Sequence, residues 1–79
     1  MPIKVFLSST LRRSVSGYDP VKGFDLTESR EITVKDLCKK INVPVNNVKI
    51  VIIDGKIEST DYILKGNERV GLFPPLGGG

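Results

Sequence analysis

A chain of 79 residues and 8.7 kDa holds one small domain and buries only roughly 60% of its unfolded surface, which leaves little depth for an internal active site. It has no His and one Cys, so His-based catalysis, His metal ligation, an internal disulfide, a zinc finger and an iron–sulfur cluster are all excluded within this chain. The net charge of +3 arises within residues 1–40 and is scattered, without a block of like charges or interleaved aromatics, so nucleic-acid binding is poorly supported.

Pro2 to Ser8 is rich in β-branched and aromatic residues and predicts a strand, with Ile3, Val5 and Leu7 inward and Phe6 on the opposite face. Leu11-Arg12-Arg13 starts a helical turn, and Gly17, Asp19 and Pro20 then mark a loop. Gly23 to Glu28 predicts a second strand. Thr33 is an N-cap, and Val34, Leu37, Cys38 and Ile41 follow at the spacing of one helical face. A helix of roughly ten residues is expected, ended by Asn42 and Pro44. On that face Cys38 reads as a buried, inert thiol.

Asn47 to Ile53 predicts a central strand, apolar on both faces except at Lys49, with Ile50 in the core. Asp54-Gly55 is a hairpin turn, and Lys56-Ile57 is a short return strand. Asp61 to Leu64 is expected to form a helical turn ending at Gly66. Glu68 to Phe73 is the last strand, stopped by Pro74-Pro75. No apolar run approaches the roughly 20 residues that span a bilayer, so a cytoplasmic location and no membrane partner are expected.

This order predicts an α+β domain of the β-grasp type: a mixed sheet of four to five strands, one main helix on one face, and the first and last strands parallel neighbours. Residues 1–73 form that domain. Residues 74–79 form a flexible Gly-rich tail. Opposite the helix, Phe6, Val51, Ile53 and Phe73 are expected to form an exposed apolar patch, which usually marks a partner site. Cover by Tyr62 and the loop from Ser8 to Lys22 is the competing reading.

The ending Phe73-Pro74-Pro75-Leu76-Gly77-Gly78-Gly79 carries the sharpest signal. Two prolines stiffen the exit from the sheet, and three glycines leave a slender chain. Six extended residues reach roughly 20 Å at most. Such a tail can deliver the Gly79 carboxylate into the active site of another protein.

With Ile3-Lys4-Val5-Phe6-Leu7, Leu11-Arg12, Thr33 to Leu37, Val48 to Ile52, Asp54-Gly55 and Gly66 to Val70, this ending closely resembles the MoaD/ThiS family of ubiquitin-like sulfur carriers. The resemblance implies a ubiquitin-like β-grasp fold and a protein that is not itself an enzyme. It implies a partner adenylating enzyme, related to ubiquitin activators, that uses ATP and magnesium on Gly79. It also implies a persulfide sulfur donor, a resulting thiocarboxylate, and a sulfur-accepting synthase. The synthase would be the large subunit of molybdopterin synthase or a thiazole synthase. No cofactor is expected to bind the carrier. Leu76, Gly77 and Gly78 would thread the partner; Arg12 and Arg69 read either as cations that meet its acidic residues or as solvated surface charges. The long segment from Ser8 to Lys22 is molybdopterin-like and the third glycine thiamine-like, so both pathways stay open. The alternatives are a ubiquitin-like modifier joined to target lysines through Gly79 and, less well supported, a basic nucleic-acid module.

Overall fold

The computed structural model describes residues 2–28 and 30–75. Its elements are β1 (Ile3–Leu7), a 3-10 helix (Ser9–Ser14), β2 (Phe24–Leu26), β3 (Ile32–Thr33), α1 (Val34–Lys40), a second 3-10 helix (Val45–Asn47), β4 (Ile50–Ile53), β5 (Lys56–Glu58), β6 (Ile63–Leu64) and β7 (Arg69–Phe73). Five strands form one mixed sheet in the order β2-β1-β7-β4-β5, and β3 pairs with β6. β1 and β7 are parallel neighbours at its centre, as expected from the element order. This is a ubiquitin-like β-grasp.

Alternation builds the core. Ile3, Val5 and Leu7 of β1, Val70 and Leu72 of β7, and Val51 and Ile53 of β4 are buried against Val34, Leu37, Cys38 and Ile41 of the helical segment. Each such side chain contributes about 1.5–3 kcal/mol by leaving water.

α1 has seven residues, shorter than expected, and both ends explain why. The Thr33 hydroxyl accepts from the Asp36 amide at 3.1 Å. The carbonyls of Tyr62 and Thr60 accept from the amides of Val34 and Lys35. Helix N-termini leave such donors unpaired, and here a neighbouring segment takes them. At the other end Asn42 adopts the left-handed conformation with φ 62°. Val43 then donates to the Cys38 carbonyl and Asn42 to that of Lys39, a Schellman closure.

The same contacts correct the expected helical turn over Asp61–Gly66. Ile63-Leu64 is strand β6, paired in register with Ile32-Thr33. Carbonyls that serve the helix N-terminus are held outside a helix of their own.

The long segment after β1 is pinned at three points. Leu11 is buried. The Leu7 amide donates to the Tyr18 hydroxyl at 2.6 Å, and the Tyr18 ring meets Phe24 edge-on. Gly23 has φ 66°, and a Cβ there would lie 2.4 Å from the Val5 carbonyl oxygen, so the return to β2 requires glycine.

Glu68 closes the loop into β7. Its carboxylate accepts from the amides of Lys65, Gly66 and Asn67 at 2.7–3.1 Å. Burial pushes this carboxyl up, but the amides of Lys65, Gly66, Glu68 itself and Asn67 outweigh burial and hold it below its ordinary range. Among the described residues, no helix is long and apolar enough to cross a membrane.

Candidate functional site

The sheet face away from α1 is fixed by register. β1 and β7 place Phe6 beside Gly71 and Lys4 beside Arg69. β4 places Ile52 opposite Gly71 and Ile50 opposite Phe73. Residues directly paired across strands share a face, so Phe6, Gly71, Ile52 and Phe73 are brought together. With Gly55 and Arg69 they line an open depression of about 330 Å³. Gly71 is its floor: a Cβ there would lie 3.3 Å from Cε1 of Phe73.

Charge borders this apolar surface. The Arg69 guanidinium carbon lies 4.5 Å from the centroid of the Phe6 ring, a cation–π contact. Lys4 pairs with Asp25 at 3.0 Å. The backbone amide of Arg69 donates to the Asp54 carboxylate, and its carbonyl accepts from the Asp54 amide. The Asp54-Gly55 turn therefore also holds the start of β7.

Register corrects two expected members of this face. Val51 and Ile53 are each only 3% exposed and belong to the core. Ile50, expected in the core, is half-buried on the outer face with Ile52. Lys49 suggested the opposite parity, but it lies before β4, and pairing begins at Ile50. The run Ile50-Val51-Ile52-Ile53 has no polar member to reveal its inward face.

Phe6 and Phe73 lie on the outer face as expected, and Tyr62 packs against the core instead of covering them. Arg69 joins them. Arg12 does not: it sits in the first 3-10 helix, where its Nε donates to the Leu7 carbonyl at 3.1 Å. Ile52, Gly55 and Gly71 are the members that sequence reasoning missed. Gly71 shares the parity of Phe73 in the alternating β7, and the register set by Asp54-Gly55 could have found Ile52.

Cys38 is buried on the helix side, and desolvation pushes its thiol up to about 11. β7 ends at Phe73, on the rim of the depression, where the Phe73 carbonyl accepts from the Lys49 amide at 2.8 Å. Pro74-Pro75 follows Phe73 in the sequence. Leu76, Gly77, Gly78 and Gly79 lie outside the described residues.

A β-grasp domain with an open apolar sheet face, whose last strand is followed in sequence by Pro-Pro-Leu-Gly-Gly-Gly, defines a ubiquitin-like carrier class. Residues 18–79 match the ThiS family, and the chain belongs to it. Members of that family are small ubiquitin-like sulfur carriers that act with an adenylating enzyme and a sulfur-accepting synthase. No curated protein matches the chain.

Proposed function

We propose that this protein carries sulfur as a thiocarboxylate on Gly79 and hands it to a synthase in cofactor biosynthesis. The carrying observation is that the family match runs through residue 79 and so includes the glycine sequence that leaves β7 at Phe73.

The chemistry follows from the weakness of a carboxylate as an electrophile. A partner adenylating enzyme, with ATP and magnesium, joins a Gly79 carboxylate oxygen to the α-phosphorus of ATP and releases pyrophosphate. The terminal sulfur of a persulfide attacks the acyl carbon and AMP leaves. A thiol then takes the donor away as a disulfide and leaves the thiocarboxylate. The carrier supplies no acid, base or nucleophilic side chain, in keeping with a chain that lacks His and buries its one Cys. It is not itself an enzyme.

The domain contributes position. Phe6, Ile52, Gly71 and Phe73 offer an apolar seat to the partner, and Arg69 offers a cation at its border. Arg12 provides a second cation outside that seat. Docking there brings the sequence after Pro75 to the partner's active site. The sulfur is consumed in building either the dithiolene of molybdopterin or tungstopterin, or the thiazole of thiamine. The molecule works in the cytoplasm beside these partner enzymes.

ATP–pyrophosphate exchange with the cognate adenylating enzyme tests the first step. The full chain supports exchange, whereas a chain lacking Gly79 folds and does not. Undiminished exchange without Gly79 would refute the assignment.

A further inference from the structure

Among the described residues, β5, Lys56-Ile57-Glu58, is a free edge of the five-stranded sheet. Its backbone polarity can be assigned. The Asp54 amide donates to the Arg69 carbonyl on β7, so along β4 the groups of Ile52 turn toward β7 and those of Val51 and Ile53 toward β5. The two-residue turn agrees, because such a turn closes on a hydrogen-bonded pair, here Ile53 with Lys56. Ile57, opposite Ile52, therefore points its N–H and C=O away from the sheet. Ile57 is 75% exposed, and its register opposite Ile52 sets its side chain on the outer face. An edge with free backbone groups and an exposed apolar residue is a template for strand addition.

The geometry points to a second copy of this chain as the occupant: two β5 strands pair antiparallel about a twofold axis at Ile57. The strand is complementary to itself in that register. Ile57 faces Ile57, each donating one N–H to the other's carbonyl. Lys56 of each copy faces Glu58 of the other, so the pairing makes two oppositely charged cross-strand pairs. Parallel addition would instead set like charges side by side. The other sheet edge, β2, has the opposite character. Antiparallel pairing of Phe24-Asp25-Leu26 about its centre would set Asp25 against Asp25, and Asp25 is already engaged by Lys4. Of the two edges, β5 is thus the one suited to self-association. The depression around Gly71 is lined without Ile57. Three residues bury less than the roughly 800 Å² per partner of a standard interface, so the pair is weak and concentration-dependent.

Sedimentation velocity of the full chain, from about 10 μM to about 1 mM in low salt, tests this pairing. The weight-average sedimentation coefficient should rise from the monomer toward the dimer value. Lys56→Glu and Glu58→Lys should each weaken association by about tenfold or more, because each sets two like-charged pairs across the twofold. The doubly swapped K56E/E58K chain restores opposite charges and should recover association to within about threefold of the original. Ile57→Asp, a change at a solvent-exposed side chain, should abolish association, and thermal unfolding verifies that each variant is folded. A chain that stays monomeric at the highest concentration would overturn the proposal. So would a swapped chain no more dimeric than the single variants, or an edge that accepts a foreign strand but never its own copy.

Discussion

Phe73 and Leu72 are adjacent in sequence and opposite in role. Leu72 is fully buried between β1 and β4, while Phe73 is half-buried on the rim of the outer depression. Leu72→Ala should cost the free monomer about 2–5 kcal/mol, because it leaves a cavity. Phe73→Ala should cost the monomer less but weaken binding to the adenylating enzyme about thirtyfold, the equivalent of 2 kcal/mol. Thermal unfolding and titration calorimetry separate the two. Equal destabilisation by both would move Phe73 into the core, and normal binding by Phe73→Ala would move the docking surface elsewhere. Glu68 works through its loop. Its folded pKa lies below the unfolded one, so its contribution to stability is present above the unfolded value of about 4.3 and is lost as pH falls through the folded value. Glu68→Gln should lower stability at neutral pH by about 2 kcal/mol and flatten the acid limb of thermal stability against pH. Parallel curves for the two proteins would contradict that role.

Elements were legible in the sequence where polarity alternated or caps were explicit. β1 and β7 carry alternating patterns, and α1 has a threonine cap, an apolar face and Asn42. β4 was located correctly but not oriented, since four consecutive apolar residues fit either parity, and the hairpin and β7 decide it. β6 was invisible for a different reason. Two residues have no period, and their strand character comes from Ile32-Thr33 and from the helix N-terminus that uses the preceding carbonyls. α1 yields its own test. Cys38 lies on its inner face, with a thiol that burial holds at about 11. Alkylation near pH 8 should therefore be slow and should track global unfolding. Cys38→Ala should leave thiocarboxylate formation unchanged. Rapid labelling of the folded protein, or loss of sulfur transfer in that variant, would give Cys38 a role in the relay.

In the proposed function the whole molecule is a platform that presents Gly79 to a partner. Pairing β1 with β7 in parallel brings Phe6 to Phe73, residues far apart in sequence, and sets the exit of the chain at the rim of the apolar seat. Element order led to the β-grasp arrangement, because a strand pair on each side of one helix is its layout, while layer packing by itself fits an α+β two-layer domain without fixing the topology. The seat followed only in part, because it depends on cross-strand register. The central claim is that sulfur is carried on Gly79. Intact-mass analysis of the full chain, after incubation with its adenylating enzyme, ATP and a persulfide donor, tests this most directly. The account predicts the mass gain of one oxygen-to-sulfur exchange, located by fragmentation at Gly79 and absent from a folded chain lacking that residue. An unchanged mass, a gain located elsewhere, or persistence of the gain without Gly79 would contradict it.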